Sequence, residues 1–116
     1  MRHLSNIKKL SLKKDQRKAL LKSLAESLIT HEKIKTTKAK AKALRPLMEK
    51  MITRAKNLDL ASMRFLRRSL SLACVKKLRT LARQRYNNRQ GGYLRMIKLP
   101  PREADNSEMV IMSFVE

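Results

Sequence analysis

Residues 27–57 read SLITHEKIKTTKAKAKALRPLMEKMITRAKN, and the apolar spacing changes twice within them. The leading end closes a helical pattern. Leu20, Leu24 and Leu28 recur every four residues, with Leu21 and Ile29 beside them, so they share one face of a helix over about 16–30. Asp15 stands where an N-cap would sit. HEKIKTT at 31–37 then alternates around Ile34 and ends in the β-branched pair Thr36 and Thr37, which predicts a short strand at 33–36. From Thr37, a second capping candidate, Ala41, Leu44, Met48, Met51, Ile52 and Ala55 return to spacings of three and four, predicting a helix over 38–57. Pro46 interrupts that helix. It removes a backbone hydrogen bond, but the apolar stripe keeps its phase across it, so a kink is expected rather than two helices.

Helix, strand and helix in immediate succession call for a mixed fold, and the flanks extend it. Asn57 and Asp59 mark a stop and a new cap. Two further helices are expected over 60–70 and 73–85, with the boundary near Ser69 or Ser71. The second carries Cys74, Leu78, Leu81 and Ala82 on one face. Asn87, Asn88, Gly91 and Gly92 form a break. YLRMIKL at 93–99 and MVIMSFV at 109–115 read as two strands, and the proline- and turn-rich PPREADNSE between them makes them a hairpin with a long loop. The expected class is α+β, in the order α-β-α-α-α-β-β: two layers, with helices on a small three-stranded sheet. Residues 15–116 form a single domain. Residues 1–14, MRHLSNIKKLSLKK, hold five Lys/Arg, no acid and few apolar side chains. They are expected to be a flexible basic arm that does not recover the cost of ordering by itself, about 1–2 kcal/mol per residue.

Charge sets the function class. All 29 basic residues of the 116-residue chain precede position 103. Residues 1–102 hold those 29 against five acids (Asp15, Glu26, Glu32, Glu49, Asp59), a net of +24, whereas 103–116 hold only Glu103, Asp105, Glu108 and Glu116, a net of −4. Repulsion within such a chain opposes compaction unless a polyanion supplies the counter-charge. Solvated faces of free proteins mix signs. Here Lys33, Lys35, Lys38, Lys40, Lys42 and Arg45 follow one another with no acid after Glu32. Aromatics decide the kind of binding. Phe65, Tyr86, Tyr93 and Phe114 are too few and too scattered for a base-stacking platform, so contacts to phosphate and sugar, reading shape, are expected.

Other classes find little support. There is no glycine-rich phosphate loop. His31-Glu32 lacks the second histidine of a zinc-protease helix, and two histidines and one cysteine far apart cannot build a His/Cys zinc cage. Cys74 shares its stripe with Leu70, Leu78 and Leu81 and reads as a core thiol. Met48, Met51 and Met63 at helical spacing read as core rather than an adaptable surface. One cysteine fits a reducing compartment. No apolar run is long enough for a membrane helix, and no secretory signal opens the chain. The acid-free, Lys/Ser-rich start shares its composition with organelle transit peptides. No cofactor, metal, membrane or small-molecule substrate is expected.

The start MRH, the run at 27–57 quoted above, and GGYLRMIK at 91–98 followed by Arg102, Asp105 and Asn106 resemble the bacterial large-subunit ribosomal protein L-seventeen family. The resemblance spans the chain and is strongest at 24–57 and 85–106. HEKIKTT, KAKALR and GGYLR are specific in combination, and the MRH match argues against a transit peptide. The resemblance implies the α+β fold already read. It also implies a non-enzymatic, structural role in the cytoplasm: binding large-subunit rRNA, supporting subunit assembly, and lying near the polypeptide exit side beside other ribosomal proteins. The residues expected at RNA are Arg2, His3, Lys8, Lys9, Lys13 and Lys14 in the arm, and Arg17, Lys18 and Lys22 on the first helix. They continue with Lys35, Thr36, Thr37, Lys38, Lys40, Lys42 and Arg45 through the strand and second helix, and with Arg89, Gly91, Gly92, Tyr93 and Arg95 at the last break. The alternatives are a basic architectural DNA-binding protein, whose backbone electrostatics are alike, and an RNA-modifying enzyme, for which no catalytic constellation is visible.

Overall fold

The computed structural model describes residue 10 and residues 12–57 and 59–116. The order is α1 (Lys14–His31), β1 (Lys33–Thr37), α2 (Lys38–Ala55), α3 (Leu60–Arg67), α4 (Leu72–Arg85), β2 (Leu94–Leu99) and β3 (Met109–Phe114). The α+β class and the element order are as expected.

The sheet is antiparallel with β3 in the centre, in the order β1-β3-β2. The last strand of the chain therefore joins the hairpin to the strand read from HEKIKTT. Register fixes two faces. Lys33, Lys35, Ser113, Ile111, Arg95 and Ile97 fall on one; Ile34, Thr36, Met112, Val110, Met96 and Leu94 fall on the other. The second face meets the helices, and Val110, Met112 and Phe114 are buried there. Into the same core go Leu28 and Ile29 of α1, Ala41, Leu44, Met48, Met51, Ile52 and Ala55 of α2, and Val75, Leu78 and Ala82 of α4. These are the stripes that the spacing picked out. At roughly 1.5–3 kcal/mol for each large side chain fully buried, they supply the main favourable term of folding. Cys74 is buried as a free thiol, and Met48 and Met51 are core, with Met63 packed against its rim.

Among the described residues, three of the four helices are capped by side chains. Thr37 Oγ1 accepts from Lys40 N at 3.4 Å, Asp59 Oδ1 from Ser62 N at 3.2 Å, and Ser71 Oγ from Cys74 N at 3.4 Å. The first helix departs from expectation. It begins at Lys14, inside the stretch assigned to the arm. Its N-cap is Lys13, with no side-chain cap bond, so Asp15 is no cap. Asp15 instead lies in the first turn, where a carboxylate is favoured by the positive end of the helix dipole. The helix ends on Glu32, whose φ of +63° turns the chain straight into β1. α2 runs unbroken through Pro46. The proline is exposed, so water can satisfy the carbonyl that loses its intrahelical donor.

Candidate nucleic-acid interface

The cations of β1 and α2 are sorted onto surfaces by the core that their apolar neighbours form. In α2, burying Ala41, Leu44 and Met48 leaves Lys38, Lys42 and Arg45 on one outer stripe, at spacings of four and three. Lys42 and Arg45 are exposed. Lys38 is partly committed: its Nζ lies 3.6 Å from Glu108 Oε2, and its backbone N–H donates to the Glu108 carbonyl at 2.9 Å. Lys40 lies on another side of the helix and is half-buried. In α1, Lys14, Lys18 and Lys22 form an exposed stripe at spacings of four, with Arg17 half-buried beside it.

The sheet adds a flat basic face. Lys33 and Arg95 both pair with Ser113 across the central strand, and Lys35 lies two residues along from Lys33. Neighbouring strands are about 4.8 Å apart, so Lys33 and Arg95 are brought within about 10 Å despite the 61 positions between them. All three are exposed, and Ile97, which pairs with Ile111 on the same face, is 50% exposed. The helices cover the opposite face, so this one is open to solvent.

Other expected contact residues take structural positions. Tyr93 is 1% exposed. Its backbone N–H donates to Glu49 Oε2 at 3.2 Å, and its hydroxyl donates to the Arg89 carbonyl and accepts from Lys56 Nζ, each at 3.2 Å. Thr36 is buried at 7% and faces the helices, and Thr37 caps α2. Gly91 (φ +89°) and Gly92 (φ +64°) occupy the left-handed region in the turn toward β2. Space is not what requires them: a Cβ at Gly91 meets nothing within 4 Å, and one at Gly92 meets only Arg89 Nη2 at 3.8 Å. Arg89 is exposed and donates through Nε to the Gly91 carbonyl at 3.3 Å. Arg2, His3, Lys8 and Lys9 lie outside the described residues; Lys13 is exposed at the start of α1.

Three ion pairs form among the described residues: Lys38–Glu108, Arg85–Glu32 and Arg102–Asp105. The last is bidentate, and its guanidinium holds the Asp105 carboxyl well below the usual carboxylate range. Lys14, Lys18, Lys22, Lys33, Lys35, Lys42, Arg45 and Arg95 have no acidic partner in the described chain, and all are exposed. Such a surface can grip a polyanion at many points, and because the cations ride on a helix stripe and a sheet face, it presents them in fixed spacing. Two groups of cations were not among the contact residues expected from the sequence. Lys33, noted there only within the basic run, belongs with Lys35 by strand alternation. The polar side of α4, with Lys76, Lys77, Arg79, Arg83 and Arg85, was legible in the same spacing that gave its apolar side.

The family described as Ribosomal protein L17 matches residues 20–115. The chain is 48% identical over 121 residues to "Large ribosomal subunit protein bL17" of Hydrogenobaculum sp. (strain Y04AAS1), covering 100% of both chains. It is 45% identical over 117 residues to the protein of that name in Paracoccus denitrificans (strain Pd 1222), covering all of this chain and 84% of the relative. The Staphylococcus haemolyticus (strain JCSC1435) protein of that name is 42% identical over 120 residues, covering 94% of this chain and 98% of the relative.

Proposed function

The chain belongs to the ribosomal protein L17 family, and from that membership we propose that it acts in the large subunit by holding rRNA through phosphate contacts. It is a bacterial large-subunit ribosomal protein and works in the cytoplasm within the ribosome. The observation that carries the finer reading is the unpaired basic surface of α1, β1, α2 and β2. Water and small ions can balance such a surface only loosely, whereas the regular phosphates of a folded RNA balance it with many simultaneous contacts. The scarcity of aromatics and the burial of both tyrosines remove stacking platforms, so the protein clamps RNA by shape. The basic residues ahead of α1 add to the clamp, and the acidic 103–108 loop turns toward protein neighbours on the exit side. Its work is structural, supporting assembly rather than chemistry. The architectural DNA-binding alternative is not supported: each of the relatives above is a large-subunit protein.

Filter binding of the full chain to deproteinised large-subunit rRNA between 50 and 200 mM salt tests this. If about 6–10 phosphates are neutralised, affinity falls on the order of 10³–10⁵ across that range. A flat response removes the phosphate clamp.

A further inference from the structure

The stripe and sheet face described above leave the basic side of α4 unused. On α4, Lys76, Arg79, Thr80, Arg83 and Gln84, with Asn87 just beyond the helix end, line a surface groove of about 690 Å³. No acid occurs anywhere in α4. Its other two cations are tied down: Lys77 Nζ donates to the Thr30 carbonyl at 2.6 Å, and Arg85 pairs with Glu32 at 2.6 Å. Those that line the groove make no ion pair. Lys76 and Arg83 are exposed and have no acidic partner among the described residues. Arg79 is half-buried, with Nη1 against Met63 Sδ at 2.8 Å and its Nε–H without an acceptor. Its guanidinium is thus fixed in place by packing rather than by an ion pair.

We infer that this groove is a second RNA-backbone site, which takes a strand of phosphates and riboses separate from the one held by the open sheet face of β1 and β2. The chemistry of the lining matches that ligand. Lys76 and Arg83 supply charge for phosphate oxygens. Thr80, Gln84 and Asn87 interleave neutral donors and acceptors, which suit phosphate oxygens and the ribose 2′-hydroxyl, a group that both donates and accepts. From Lys76 to Arg83 the helix rises about 10 Å, the reach of about three successive phosphates on one strand. The core stripe of α4 (Val75, Leu78 and Ala82) packs inward, so the groove looks outward from the helical layer, whereas Lys35 and Arg95 look outward from the sheet. A protein with a basic surface on each layer can hold two RNA segments apart at the thickness of its own domain. The inference rests on the proposal that the polyanion is rRNA, but it is separable from it.

The test uses the full chain and deproteinised large-subunit rRNA, comparing wild type with Lys76→Ala/Arg83→Ala and with Gln84→Ala. All three residues are exposed, so thermal melts of the variants are expected to match wild type. The double variant should reduce the slope of log affinity against log salt by about two units, one per lost phosphate contact. Gln84→Ala changes no charge. It should weaken binding about three- to tenfold and leave the slope alone. A double variant with wild-type affinity and slope overturns the α4 site while leaving the phosphate clamp standing. A wild-type protein with no salt dependence overturns both.

Discussion

At the scale of single residues, Glu49 and Tyr86 organise the region that the sequence assigned to RNA contact. Glu49 on α2 spans to the start of β2, its two oxygens accepting from Tyr93 N at 3.2 Å and Leu94 N at 3.3 Å. Tyr93 and Leu94 are both buried, so removing the carboxylate leaves two backbone donors without partners. Glu49→Ala should cost about 3–6 kcal/mol in a urea unfolding titration, because bonds to a charged acceptor contribute about 1.5–3 kcal/mol each. Tyr86 is 1% exposed and donates its hydroxyl to the Val115 carbonyl, while its ring lies 5.0 Å from that of Tyr93. Burial pushes its ionisation above the ordinary tyrosine value of 10.0, with nearby Arg85 and Arg89 opposing that push. Because the native-state value is the raised one, the neutral hydroxyl's contribution is fully present below about pH 10 and is lost as pH rises through the higher native value. Tyr86→Phe should therefore lower stability by about 1 kcal/mol between pH 7 and 9. The gap from wild type should close in melts taken progressively above pH 10. A gap that stays constant or widens there contradicts this role.

At the scale of elements, the turn into β2 depends on the backbone conformation of its glycine pair. A glycine pair can serve a positive φ or a close backbone approach, and since a Cβ at either position meets at most Arg89 Nη2 at 3.8 Å, only the first applies here. Gly92→Val should cost about 1–2 kcal/mol, the penalty for a side chain in the left-handed region. Gly92→Asn should cost much less, since asparagine tolerates that region, and Lys98→Ala, an exposed change, should cost least. Equal losses for valine and asparagine in thermal melts would mean that the conformation is not what the glycine provides. The elements themselves were legible because the apolar spacing of α1, α2 and α4 is the spacing of their buried faces, and because Thr37, Asp59 and Ser71 announce caps by residue type. The start of α1 was not. Asp15 is a good cap by type, yet nothing local says that a lysine will take the capping position and leave Asp15 in the first turn. The role of Tyr93 was hidden for a different reason. Its partners Glu49, Lys56 and Arg89 reach it from α2, from the end of that helix and from the β2 turn, and sequence spacing does not report which long-range partners converge.

At the scale of the whole molecule, the charge split along the chain becomes a split across the fold. The acidic C-terminal end does not hang from a basic body. Its strand β3 is the centre of the sheet, and its loop is fastened by Arg102 to Asp105 and by Lys38 to Glu108. The described residues of the basic part flank it, with most of their cations exposed. Composition pointed to a polyanion as the counter-charge. It could not show that Lys33 and Arg95 would share a sheet face, because strand order and register put them there. A cryo-EM map of the assembled large subunit containing this chain tests whether these surfaces meet rRNA phosphates. Lys35, Lys42, Arg45 and Arg95 are expected within ion-pairing reach of rRNA phosphates, with the 103–108 loop turned to protein or solvent. A map with those four side chains against protein or open solvent, and the acidic loop against the RNA, would contradict it.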